Sequence, residues 1–114
     1  MTRETTTDLA PTRHEIETSK GPIMLEFGAS WCGHCQAAQP FILSALALYP
    51  QIRHIKIEDA KGLRLGRTYA VKLWPTLIFI KDGLELMRIV RPLDFKMVAD
   101  ALEQIAGSDN QGPG

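Results

Sequence analysis

Apolar residues along this chain fall into short runs with two different periods. Residues 23–27 (Ile-Met-Leu-Glu-Phe) and 76–80 (Thr-Leu-Ile-Phe-Ile) are nearly continuous apolar stretches, as expected of strands buried on both faces. Glu26 is the one charge inside the first. Residues 52–57 alternate isoleucine with charged or polar residues and read as a third strand. Between the first and third runs, Ile42, Ala45, Leu46 and Tyr49 recur at helical spacing, and Pro50 ends that helix. Pro40 lies within it, removes one backbone hydrogen bond and predicts a kink. Residues 61–69 form a weaker helical pattern, diluted by Gly62 and Gly66. Asp82-Gly83 is a two-residue hairpin signal, and residues 84–90 return as its second strand. Asp94 is the expected N-cap of a last helix, with Phe95, Val98, Leu102 and Ile105 as its buried stripe and Gly107 as its C-cap.

The predicted order is β-α-β-α-β-β-α. Two strands joined through a helix should be parallel with a right-handed crossover, and two joined by a tight turn antiparallel. The expected fold is therefore α/β, a mixed central sheet flanked by helices. Ahead of it, residues 1–20 form a polar, threonine-rich segment, expected to be loose over 1–11, with a short edge strand at His14–Glu17. Residues 21–107 form the domain, and 108–114 a polar tail expected to be disordered.

Composition adds mainly exclusions. Thirteen basic and thirteen acidic residues cancel, and no charge block favours nucleic acid. No stretch has the length of a membrane span, and the N-terminal residues lack the apolar core of a signal peptide, so a cytoplasmic location is expected. Only two cysteines are present, separated by two residues. A bridge between them closes too small a loop to stabilise much, so a reactive pair is the better reading than a structural staple. Zinc normally takes four ligands, and no second cysteine pair exists, so no metal is expected.

Trp31-Cys32-Gly33-His34-Cys35 lies between the first strand and the first helix. Helix-start N–H groups have no internal partners, and the helix dipole adds partial positive charge there. Both favour Cys32 as a thiolate, the reactive form. Cys35 lies about one helical turn on, within disulfide reach. A protonated His34 beside the thiolate would stabilise the reduced pair and make the couple more oxidising. Glu26 is a carboxylate in an apolar strand; burial should raise its pKa and make it a proton acceptor for Cys35. Lys56 is the expected structural partner of Glu26. His14 and His54 show no convincing partners and read as structural or surface residues.

The stretch from Met24 through Cys35 resembles the active-site segment of the thioredoxin superfamily. Its Gly33-His34 dipeptide and Glu26 resemble protein disulfide isomerase domains more than typical thioredoxin. Pro40 matches the family's helix-kinking proline, Trp74-Pro75-Thr76 the motif whose proline is cis, and Lys81-Asp82-Gly83 the following hairpin. The resemblance spans roughly residues 22–106. Two positions depart from it: Trp74 is bulky where a smaller residue is usual, and Val90-Arg91-Pro92 stands where a glycine is common. The short N-terminal segment predicts a shrunken or missing first strand and helix.

The resemblance implies a thiol-disulfide oxidoreductase with Cys32 as nucleophile, Cys35 as resolving thiol and no cofactor beyond that pair. It implies Trp31, Trp74 and Pro75 at the substrate groove, with the Trp74 backbone free to hold an extended peptide. Expected partners are protein disulfides and a thioredoxin-reductase-like donor, with the chain a monomer that binds neither nucleic acid nor membrane. The reductant direction is favoured, with oxidase or isomerase open. The alternative is a thioredoxin-like binding or assembly-chaperone module that merely retains the cysteines.

Overall fold

The computed structural model describes residues 4–6, 10–60 and 64–106. Nine elements follow in order: β1 (Glu4–Thr6), α1 (Arg13–Glu17), β2 (Pro22–Gly28), α2 (Gly33–Ala47), β3 (Arg53–Glu58), α3 (Arg64–Thr68), β4 (Thr76–Lys81), β5 (Leu84–Val90) and α4 (Phe95–Ala106). They form one sheet in the order β1-β3-β2-β4-β5, with β1 and β2 parallel to β3 and the β2–β4 and β4–β5 pairs antiparallel. The mixed sheet and every element expected after residue 20 are present. Gly107 and the 108–114 tail lie outside the described residues.

The N-terminal expectation was wrong in two places. The edge strand is Glu4–Thr6, inside the segment expected to be loose, and it pairs with β3. Residues 14–17 belong instead to a five-residue helix. Its start is a capping box: Thr12 Oγ1 accepts from the Glu15 N–H, and the Glu15 carboxylate accepts from the Thr12 N–H. Those two bonds favour a helix where a five-residue polar stretch carries too little alternation for a strand. The first strand and helix are thus present but short, as the departure from the family pattern suggested.

Side-chain alternation splits the core into two layers. Ile23, Leu25, Phe27, Ile55 and Ile57 point to one face of the sheet, where Ile16, Leu65 and Tyr69 cover them. Met24 and Ile52 point to the other, against α2 and α4. Each fully buried side chain of this size contributes about 1.5–3 kcal/mol. In α4 the buried stripe is Val98, Ala101, Leu102 and Ile105, whereas Phe95, expected in that stripe, is the first residue of the helix and is 40 % exposed. Asp94 caps that helix as expected, its Oδ1 accepting from the Met97 N–H at 2.9 Å. At the hairpin, Asp82 and Gly83 both have positive φ, as a type I′ turn needs.

Candidate active site

The loop after β2 is held in place from several sides. Gly28 O accepts from the Asp59 N–H at 2.7 Å, Ser30 N–H reaches the Glu58 carboxylate at 3.2 Å, and Gln36 Nε2 donates to Ser30 O at 3.0 Å. These contacts fix Cys32 as the N-cap of α2 in an extended conformation, with Cys35 in the first turn. Both thiols are free and mostly buried. They cluster with Ala29, and Ala60 and Trp74 pack against them. Gly28 is needed here: a Cβ at that position would stand 2.7 Å from Cys35 Sγ.

The two sulfurs are in opposite electrostatic settings. For Cys32, burial opposes the thiolate. The Cys35 backbone N–H, the Cys35 thiol, the His34 backbone N–H and the Arg91 charge outweigh it, and the pKa falls below the ordinary thiol value. For Cys35, burial dominates; the Ala29 backbone opposes it, but the Cys32 sulfur and the Glu26 charge reinforce it. The Cys35 thiol is pushed up to about 11.

Behind Cys35, the strand alternation that faces Ile55 and Ile57 one way turns His54 and Lys56 the other, beside Glu26 and under α2. Glu26 is buried, with Oε1 2.7 Å from His54 Nε2 and Oε2 accepting from Gln39 Nε2 at 2.6 Å. This corrects two expectations. Lys56 sits opposite Glu26 in the register, but its Nζ reaches Gln39 Oε1 at 3.4 Å, so it joins the carboxylate's network through Gln39. His54 is a buried neighbour of Glu26, not a partnerless residue. A cleft of about 140 Å³, lined by Glu26, Gly28, Cys35, Gln39 and Lys56 among others, joins this cluster to the resolving thiol.

At the mouth, Trp31 is exposed and meets Trp74 edge-to-face, ring centroids 5.6 Å apart. The Trp74 indole N–H donates to buried Asp59 Oδ2 at 3.1 Å. The Trp74–Pro75 bond is cis, and Pro75 O accepts from the Arg91 N–H at 2.9 Å. The expectation of a free Trp74 backbone fails for its carbonyl, which accepts from Arg91 Nε at 2.8 Å. His34 is exposed in the first turn of α2, and its backbone N–H is the part that acts on Cys32. The structure thus brings Cys32, Cys35 and Trp74 together, with Trp31 against Trp74, Pro75 next to it in the chain, and Glu26 lining the cleft beside Cys35. The residues that sequence reasoning missed are Arg91, His54, Gln39 and Gly28.

Thiol-disulfide exchange needs an attacking thiolate, and a dithiol with one lowered and one raised sulfur can supply it. A family model described as thioredoxin matches residues 5–104. The chain belongs to the thioredoxin family. Among thioredoxins, that of Chlamydia pneumoniae is 31 % identical over 77 % of this chain and 86 % of its own. The structure of reduced thioredoxin 2 from Pseudomonas aeruginosa has a TM-score of 0.82, with 45 % identity over 91 % of this chain and 96 % of that one. Fasciola hepatica thioredoxin has a TM-score of 0.68 at 25 % identity, over 78 % of this chain and 85 % of that one. This thioredoxin-family protein is a thiol-disulfide oxidoreductase whose Cys32 and Cys35 form the family's Cys-x-x-Cys motif. The family acts in general on protein disulfides, is recharged by a reductase and uses no cofactor beyond its dithiol. Among the described residues, no cluster of side chains could hold a metal ion, and no helix is long and apolar enough to cross a membrane.

Proposed function

We propose that the protein reduces disulfides of protein substrates, with Cys32 as nucleophile, Cys35 as resolving thiol and Glu26 as proton acceptor. The Cys32 thiolate attacks one substrate sulfur, the substrate S–S bond breaks, and the departing substrate thiolate takes a proton from solvent. Cys35 then gives its proton to Glu26 and attacks Cys32 Sγ. The mixed disulfide breaks, the second substrate sulfur leaves as a thiolate and takes a proton from solvent, and two electrons have passed from the dithiol to the substrate. The cleft between Cys35 and Glu26 has room for water, which supports onward loss of the proton to solvent.

His34 tunes the couple from beside the thiolate, and the Gly33-His34 spacer makes it more oxidising than an uncharged residue would. Trp31 and Trp74 form the apolar lip, with Pro75 at its base. The chain works as a monomer in the cytoplasm and is recharged by a thioredoxin-reductase-like donor. It needs neither metal nor nucleic acid. The observation that carries the reading is the opposed setting of the two thiols, one ionising early and one late.

Equilibrium titration of the pair against glutathione tests it. The expected result is one reversible two-electron transition, with the oxidised end point carrying a Cys32–Cys35 bridge. Failure to form that bridge, alongside unimpaired peptide binding, would favour the binding-module alternative.

A further inference from the structure

Arg91 occupies an unusual place. Its φ is +55°, a left-handed conformation that disfavours a bulky side chain. Two bonds hold it there, from its backbone N–H to Pro75 O and from Nε to Trp74 O. Its charge reaches Cys32. Nε is occupied, and the two terminal nitrogens have no hydrogen-bond partner among the described residues, although the side chain is partly buried. A guanidinium fixed through Nε presents its terminal pair of N–H groups as a fork, the shape that binds a carboxylate bidentately. The carboxylates at the end of β3 do not engage it: Glu58 accepts from the Ser30 N–H, Asp59 Oδ2 accepts from the Trp74 indole, and the cation that acts on Asp59 is Arg67.

We propose that the Arg91 fork is a specificity element that selects disulfides flanked by an acidic side chain. The inference rests on the thiol-disulfide reading above. A carboxylate beside a disulfide normally repels an incoming thiolate, because both carry negative charge. Arg91 reverses that sign at this site by pairing with the substrate carboxylate while Cys32 attacks. The same anchor occupies one of the two acceptor sites of the Trp74 carbonyl.

The test is single-turnover reduction of three synthetic disulfide peptides by the reduced protein. The peptides are identical except for Glu, Gln or Lys next to one cysteine, and dithiothreitol serves as the reference reductant. Relative to dithiothreitol, the wild type is expected to prefer the Glu over the Gln peptide by about fivefold at low salt. The Lys peptide should be slowest, and the preference should shrink in 1 M salt. R91Q should bring the Glu:Gln ratio to the reference value. R91G, which suits the positive φ, decides the matter should R91Q fold poorly. A wild-type ratio equal to that of dithiothreitol, or a preference that survives both substitutions, overturns the proposal while leaving the exchange chemistry intact. Reduction of none of the peptides overturns both.

Discussion

Cys32 and Cys35 are three residues apart, expose nearly the same small fraction of their surface, and behave oppositely. Relative exposures of 8 % and 7 % give no hint of the difference. It comes from depth and from what each sulfur faces: burial is the largest influence on Cys35, whereas at Cys32 the surrounding donors and Arg91 outweigh it. Cys32 lies at the start of α2 among N–H groups and the Arg91 charge, whereas Cys35 lies toward the buried Glu26 cluster and the more readily ionised Cys32 sulfur. Burial alone raises a thiol's pKa, so a shielded nucleophile needs donors aimed at it. One helix start supplies them to the first cysteine and withholds them from the second. The pair attacks with one sulfur and keeps the other in reserve, which a symmetric dithiol would not do.

The sharpest way to break this contrast is to remove the reserve. Cys35→Ser should leave attack by Cys32 intact and block release, so that mixed disulfides accumulate to nearly one per protein molecule. Mass spectrometry of non-reduced adducts would show them. A variant that still turns over like wild type would contradict the division of labour.

Next in size is the proton acceptor. Glu26→Gln keeps the shape but removes the charge, and should slow resolution of a preformed mixed disulfide by about 10- to 100-fold. The initial attack should slow far less. Rapid-quench kinetics separates the two steps, and equal slowing of both would assign Glu26 a purely structural role.

The smallest effect is expected at His34. His34→Pro removes both the imidazole and the backbone N–H that acts on Cys32. Losing them destabilises the thiolate and with it the reduced protein, so the potential should fall by tens of millivolts, about 30 mV for each 1.4 kcal/mol. His34→Ala keeps the N–H and should shift it less. A potential that is unchanged or higher in His34→Pro would remove this residue from the tuning.

The sheet was legible because its signals are redundant. Apolar runs, the Asp82-Gly83 turn and the Asp94 cap each point to the same order. The capping box at Thr12 and Glu15 was equally readable, but a short polar segment offered no periodicity to direct attention to it. At the site, the cysteines, Glu26 and the Trp74-Pro75 bond were legible as motifs. His54 was not, although the alternation of β3 places it on the Glu26 face, because its bond to Glu26 is a diagonal contact rather than a register pair. Register puts Lys56 opposite Glu26, which is why lysine was the expected partner. Arg91 was visible as a departure from a glycine, but its bond to the Trp74 carbonyl depends on chain geometry 17 residues away.

The unequal ionisation of the two sulfurs is tested most directly by alkylating the reduced protein with limiting iodoacetamide across pH and mapping the label by mass spectrometry. A thiol reacts as its thiolate, so labelling rises with pH through the thiol's own pKa. Cys32, lowered, should take most of the label at pH 7, and its labelling should rise at a lower pH than that of an ordinary thiol. Cys35 should stay silent until the pH approaches about 11. Equal labelling of both at neutral pH, or earlier labelling of Cys35, would contradict the account.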